Sequence, residues 1–432
     1  MARKIEPLSK VVTEQQVRRI AQEFQTPVYV YSQRILEEQA KKALSFPHAF
    51  GLTVRYAMKA NPNQNIVRLF HKKGISIDAS SGFEAQRAID AGVPPRDILL
   101  TSQEIPKNLF ALVASGVNYT ACSLEQLVNF AGHVRNDNRV DVSVRINPGR
   151  GSGSTKRTNT GGKSSSFGIW YEQIPEVLDL VERYGLNVTR IHTHIGSGSD
   201  PEVWKKVALM SLKNVDRFLK AGHDVQSLNL GGGYKVARMS YEKDTDLKKC
   251  GESVKRAFSD FAKKTKRKLR LEIEPGTFLV ANAGAVVSKV VDVKSTPEYD
   301  FLIIDSGMTE VTRPSLYGAQ HPLFVVPQDK RKNRKKEYIV SGHCCESGDI
   351  LTPANGNPEK LQPRLLNEAR IGDFLVVGGA GAYCAGMSTI NYNSYPQAGE
   401  VLIDNHGRFQ EIRKRQTLAQ ITQNEERVYL NS

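Results

Sequence analysis

Residues 55–63 read Arg55-Tyr56-Ala57-Met58-Lys59-Ala60-Asn61-Pro62-Asn63. The apolar run that starts at Val54 carries one lysine at its far end, and Asn61-Pro62 then breaks the pattern. The expectation is a buried strand over 54–59 that delivers an ammonium group to its C-terminal lip. Burial lowers the pKa of such an amine and makes it a nucleophile toward carbonyls. One lysine among 60 basic residues is ordinarily a solvated strand end. The weight therefore falls on the residues beyond Lys59.

Seven further short apolar runs succeed it, at 75–79, 98–101, 119–122, 140–146, 188–195, 227–230 and 269–274. Amphipathic stretches lie between them at 65–73, 82–91, 107–115, 124–133, 171–184, 203–221 and 251–264, and another at 34–44 precedes the first. Eight alternating units over roughly 250 residues predict an α/β fold, a closed (β/α)8 TIM-like barrel over 33–282. An open doubly wound sheet usually has fewer strands and an early glycine-rich phosphate turn. After residue 282 long helices vanish, and short runs at 286–293, 301–305, 338–341, 374–377, 400–403 and 408–412 alternate with Gly, Pro and Asn. This predicts an antiparallel β domain, a sandwich or barrel, over 283–432. The run at 28–31 completes it, so that 1–32 and 283–432 form one discontinuous domain.

A barrel places its functional residues just after its strands. Lys59, Asp78, Ser80, Ser81, Arg145, Asn147, His192, His194, Gly196, Ser197, Gly198, Gly231, Gly232, Gly233, Glu274 and Gly276 all fall at such positions. Bare glycine amides at 231–233 suit a phosphate, with Ser197, Gly198 and Gly276 as further donors; a tight turn is the plain alternative. Glu274 needs a partner in the barrel mouth, either a protonated pyridine nitrogen or a structural ion pair with a residue such as Arg145. His194 and His192 share a face but lack a third ligand, so no metal is expected, and a flat imidazole against an aromatic cofactor fits better. Lysine, phosphate cradle, carboxylate and flat ring together describe a pyridoxal phosphate pocket.

In the second domain, His343-Cys344-Cys345-Glu346-Ser347-Gly348-Asp349 joins a thiol and a carboxylate in one loop. A cysteine that donates protons needs exposure, and Cys344 is expected to be the buried one of the pair. Arg313 offers a fork for a carboxylate. Tyr383 follows a glycine-rich strand end. The basic, flexible stretch 149–168 reads as a lid over the barrel lip.

Composition narrows the classes further. Hydrophobic content is 40%, and no apolar run reaches 18 residues, so no membrane association is expected. The start, MARKIEPLSK, lacks an apolar signal core, which points to the cytoplasm. Five scattered cysteines form no disulfide framework. The net charge of +15 is concentrated at 263–270 and 329–336. Neither run interleaves aromatics, so solvated surface is expected rather than a nucleic-acid site.

The motifs YAMKANPN, DASSGFE, RINPG with TNTGGKSSSFGI, HIGSGSD, LNLGGG, EPG, RPSLYGAQH, CESGD and GAYCAGMS with NYNS occur in this order. Over about residues 25–420 the chain resembles the pyridoxal-phosphate decarboxylases of the alanine-racemase-like barrel fold, and most closely the meso-diaminopimelate decarboxylases, which make L-lysine and CO2. The resemblance implies that Lys59 carries the cofactor as a Schiff base, that His194 stacks on its ring and that Glu274 partners its nitrogen. It implies cofactor contacts from Asp78, Ser197, Gly232, Gly233, Gly276, Thr277 and Tyr383. It further implies that Cys345 is the general acid, that Glu346 lies near the distal amine of the substrate, with Tyr383 close by, and that Arg313 and Tyr317 bind the distal carboxylate. Cys345 and Glu346 then come from the partner in a homodimer with shared active sites. One position departs from the pattern. The family reads Glu-Pro-Gly-Arg where this chain has Thr277, and a charge-assisted contact of that kind contributes ~1.5–3 kcal/mol. A substrate without a distal carboxylate, such as D-lysine or D-ornithine, is the alternative. A racemase on the same barrel sets arginine, not a carboxylate, against the ring nitrogen, so Glu274 argues for decarboxylation.

Overall fold

The computed structural model describes residues 10–134, 140–149, 151, 161–196, 198–329, 331 and 334–428. The chain divides into two compact units, one of residues 36–236 and 243–279, the other of 1–35, 237–242 and 280–432.

The first unit is built on eight parallel strands in the order Asn118–Ala121, Ile98–Thr101, Ser76–Ala79, Leu52–Ala57, Arg270–Ile273, Ser227–Asn229, Leu186–His192, Val140–Asn147. The last pairs with the first, through Thr120↔Ser143 and Ala121↔Val144, so the sheet closes into a barrel. All eight predicted strands are present. A two-residue strand, Ile169–Trp170, adds to the edge of Val140–Asn147. Helices connect the strands, and their starts are set by side chains that satisfy free amides. Ser81, Ser123, Asp200 and Asp246 accept from the backbone N–H groups of Glu84, Gln126, Glu202 and Lys249. Trp204 stacks on Tyr234 with centroids 4.4 Å apart, and both are buried between helix and barrel.

The barrel interior holds charge. Glu272 lies 2.8 Å from Arg55 Nε and 3.0 Å from Arg190 Nε, while Arg190 also donates to Ser143 Oγ at 2.9 Å. Burial works against the Glu272 carboxylate, but the two guanidinium groups hold its pKa down at about 2. Three strands distant in sequence are thus tied by one carboxylate.

The second unit is a nine-stranded sheet. Its main path runs Arg364–Asn367, Lys335–Ser341, Asp300–Ile304, Gly284–Ser295, Val28–Ser32, Gly399–Ile403, Phe409–Arg413, and Phe374–Val377 with Leu323–Val326 branches from Gly284–Ser295. The N-terminal strand sits inside this sheet, antiparallel to Gly284–Ser295 and parallel to Gly399–Ile403. Asp300–Ile304 and Lys335–Ser341 are parallel as well, so the sheet is mixed rather than purely antiparallel. A strand from the far N-terminus enters with no hairpin to fix its direction, which is why alternation alone did not show this. Among the described residues no helix is long and apolar enough to cross a membrane. Within the two basic runs, Arg267 pairs with Asp224, Lys263 with Asp260, Lys336 with Asp300 and Arg331 with Asp329 and Asp373.

Candidate active site

The strand that opens the barrel ends at Ala57, and Lys59 stands on the adjoining 3-10 turn Met58–Ala60. This corrects the expectation of a strand to 59. Proline at 62 holds Asn61 extended, at φ −159°, ψ 105°, and the Asn61 N–H closes the turn on Met58 O at 3.0 Å. Tyr56 Oη fixes the same corner by donating to Asn61 O at 2.8 Å. Met58 and Ala60 are buried, whereas Lys59 itself is exposed in the chain. The amine is therefore presented by a rigid turn and is not buried in a strand.

Around it the register sets a layer of polar groups. Arg145 lies opposite His192, and His192 opposite Asn229. Glu274 comes immediately after Arg270–Ile273. Its Oε1 accepts from Asn229 Nδ2 at 2.5 Å, and His192 Nε2 lies 3.3 Å from its Oε2. The predicted ion-pair alternative through Arg145 is thus replaced by His192 and Asn229. Burial alone pushes the Glu274 carboxyl up, but His192 and the Asn229 amide hold it well below the usual range, so it stays ionised. Asp78, at the end of Ser76–Ala79, goes the other way. Burial and the charge on Glu274 raise its carboxyl well above its ordinary value, against Lys59 and Arg55. One buried carboxyl is held toward its charged form and the other is pushed toward its neutral form.

His194 Nδ1 accepts the Gly232 N–H at 3.1 Å. Burial, Arg145 and Lys59 push its pKa well down, so the ring is neutral and its proton sits on Nε2. The glycine turn is shaped by its neighbours. A Cβ at Gly231 would lie 2.4 Å from His194 Nδ1, and one at Gly232 would lie 2.1 Å from Glu274 O. Gly231 N–H donates to Asn229 Oδ1 at 2.8 Å, and Gly233 O accepts from Gly198 N–H at 3.1 Å. Pro275 O accepts from Ala57 N–H at 3.3 Å, and a Cβ at Gly276 would press within 3.2 Å of Ala60, which ties the Glu-Pro-Gly turn to the lysine turn. Thr277 opens the short helix Thr277–Val280. Ser197 lies outside the described residues, as do residues 150 and 152–160 of the expected lid. At the base of that stretch Asn147 Oδ1 accepts from Gly149 N–H at 3.1 Å and Gly162 N–H at 2.9 Å.

Lys59, Asp78, His194, Gly232, Gly233, Glu274 and Gly276 therefore gather at one lip of the barrel. The set fits a phosphorylated pyridine aldehyde: an amine on a rigid turn, an ionised carboxylate, a neutral imidazole and a glycine turn. Asp78 Oδ1 and Arg145 Nη2 are buried without a hydrogen-bond partner among the described residues, as groups that meet a polar ligand would be. Asn229 was not singled out in the sequence, although it anchors both Glu274 and the glycine turn. Its signal was present in Leu-Asn-Leu-Gly-Gly-Gly, a lone buried amide before the glycines.

The remaining predicted residues belong to the second unit. Cys345 is exposed, and its N–H donates to Asn393 Oδ1 at 2.8 Å. Cys344 is buried, and burial beside Asp349 pushes its thiol up to about 12. Glu346 accepts from Gly348 N–H at 3.1 Å and Tyr392 Oη at 3.3 Å. Arg313 and Tyr317 bound the helix Arg313–Tyr317. Tyr383 sits at φ 56°, an unusual conformation for a tyrosine, between buried Ala382 and Cys384.

Residues 33–281 match the family described as pyridoxal-dependent decarboxylase, pyridoxal binding domain. The chain is similar to the diaminopimelate decarboxylase of Escherichia coli K12, 35% identical over 95% of this chain and 96% of that one. It superposes on a crystal structure of diaminopimelate decarboxylase with a TM-score of 0.89, at 34% identity, over 97% of this chain and 99% of that one. A second solved structure, the diaminopimelate decarboxylase of M. jannaschii in complex with L-lysine, gives 0.84 at 26% identity over 95% and 94%.

Proposed function

Because the chain belongs to the pyridoxal-dependent decarboxylases, and within them to the diaminopimelate decarboxylase family, we propose that it converts meso-2,6-diaminopimelate to L-lysine and CO2 with pyridoxal 5'-phosphate. The observation that carries the reading is the barrel lip, where the turn bearing Lys59 meets an ionised Glu274 through the Pro275–Gly276 contact.

In this reading Lys59 would hold the cofactor through its aldehyde carbon. Gly232, Gly233, Gly276, Thr277, Ser197 and Tyr383 would hold cofactor and phosphate, and Asp78, pushed toward its neutral form, would donate a hydrogen bond. The bound cofactor supplies an electron sink for the bond that releases CO2. Glu274, held as an anion, keeps a proton on the ring nitrogen, and His194 offers a neutral flat face to the ring. Cys345 gives the proton that replaces the lost carboxylate at Cα. Glu346 receives the distal amine beside Tyr383, and Arg313 with Tyr317 takes the distal carboxylate. We propose a cytoplasmic homodimer in which residues 33–282 bind the cofactor, while 1–32 and 283–432 complete the site and send Cys345 and Glu346 to the opposite subunit.

The test is CO2 release by the loaded enzyme from meso-diaminopimelate, D-lysine, D-ornithine and their L forms. The expected outcome is release from meso-diaminopimelate with L-lysine as product. Preferred release from D-lysine or D-ornithine would refute the substrate assignment, and inverted amino acid without CO2 would refute decarboxylation.

A further inference from the structure

Arg238 lies five residues after Gly233 in the chain and belongs to the second unit. Its Nε donates to Gly379 O at 2.9 Å, while its Nη2 is buried with no hydrogen-bond partner among the described residues. Glu242, whose charge acts on Arg238, turns its Oε2 to the backbone, accepting from the N–H groups of Arg238 at 2.7 Å and of Met239 at 3.0 Å. Arg238 and Arg313 are tied to consecutive carbonyls, Arg238 directly to Gly379 O and Arg313 through His321 to Gly378 O, and burial together with the Arg313 charge lowers the Arg238 pKa to about 9.

Arg313 is braced by an imidazole, not by a carboxylate. Its Nη1 lies 2.7 Å from Nε2 of the buried His321, whose Nδ1 lies 2.9 Å from Gly378 O. A carbonyl only accepts, so Nδ1 carries the proton and Nε2 accepts from the guanidinium. Burial and the charges on Arg313, Arg238 and Arg364 all disfavour a second proton on this ring. Among the described residues neither Arg238 nor Arg313 forms an ion pair with a carboxylate. Two neighbouring guanidinium groups of which one has a buried, unmet donor are unfavourable alone and well suited to an anion with two oxygens.

We propose that Arg238, beside Arg313, is the specificity-determining residue that binds the distal carboxylate of the substrate, in place of the arginine that the family carries where this chain has Thr277. The inference rests on the dicarboxylate reading above and gives its substrate class a residue. It also removes the departure at Thr277 as a reason to favour a monocarboxylate substrate. Arginine at 238 supplies the same planar fork from a different stretch of chain.

The probe is pimelate, a seven-carbon dicarboxylate without amines, titrated calorimetrically into the loaded enzyme beside hexanoate. Arg238→Met is expected to weaken pimelate roughly ten- to hundredfold, the range for a lost charge-assisted contact, and to leave hexanoate unchanged. With meso-diaminopimelate the KM is expected to rise by a similar factor while kcat holds. Arg238→Lys, which keeps the charge but not the fork, is expected to recover part of the loss and guards against a variant that fails to fold. Unchanged pimelate affinity in the folded variants would overturn the proposal. So would a loss confined to cofactor retention, which would make Arg238 a phosphate ligand. A wild type that binds pimelate through Arg238 but releases no CO2 from meso-diaminopimelate would uphold this inference and refute the proposed reaction. Normal turnover with an indifferent Arg238 would do the reverse.

Discussion

Lys59 stands two residues beyond the end of its strand, on a turn closed by Asn61 and braced by Tyr56. Its place at the barrel lip was legible because it closes the first of eight alternating apolar runs, and a closed barrel gathers such strand ends on one rim. Its exposure was not legible, because that depends on where the turn begins, and a two-residue shift is below what periodicity resolves. Asn229 shows a similar limit. Only the register that sets it between His192 and Glu272 reveals that one amide serves both the Glu274 carboxylate and the Gly231 N–H. Asn229→Ala strips a partner from each. The expected loss is roughly 2–4 kcal/mol in urea unfolding, together with weaker cofactor binding, since buried groups left unpaired cost about 1–3 kcal/mol each. A variant as stable as wild type and equally retentive of cofactor would remove Asn229 from this role.

At the scale of elements, the eight barrel strands were readable from alternation of apolar runs with amphipathic stretches. The second unit was harder, since direction in a mixed sheet is set by long connections. Leu323–Val326 lay hidden between Pro322 and Pro327, and Asn357–Leu361 is polar and pairs only in a small hairpin. The loop after Asp300–Ile304 illustrates what no pattern shows. Burial pushes the Glu310 carboxyl up to about 7, although Thr309 Oγ1 and Gly307 N–H both donate to it. The neutral form is favoured in the fold, so this contribution is full below the unfolded value near 4.5 and is lost as pH rises through 7. Nearby His343, held down at about 4 by burial, has the opposite sign: its contribution is lost as pH falls from 6.5 toward 4. Comparing wild type with Glu310→Gln cancels the histidine. The variant is expected to gain on wild type by roughly 2–3 kcal/mol between pH 5 and pH 8 in urea midpoints. Parallel pH profiles would contradict a buried, neutral Glu310.

For the whole molecule, the proposed reading has the barrel supply an electrophile's anchor and the sheet unit supply an acid and cationic forks. The barrel half of that chemistry was legible because a closed parallel barrel sends its functional residues to one rim. The roles proposed for the sheet unit rest on resemblance, and the one proposed for Arg238 had no signal in the sequence, since a lone arginine among 60 basic residues carries no pattern. The central claim is that Lys59 anchors the cofactor for decarboxylation. It is tested most directly by borohydride reduction of the loaded enzyme, peptide mapping of the adduct, and CO2 release from meso-diaminopimelate by Lys59→Ala. The expected result is an adduct on the peptide bearing Lys59 and loss of both adduct and CO2 release in the variant. An adduct on another lysine, or undiminished CO2 release by Lys59→Ala, would contradict it.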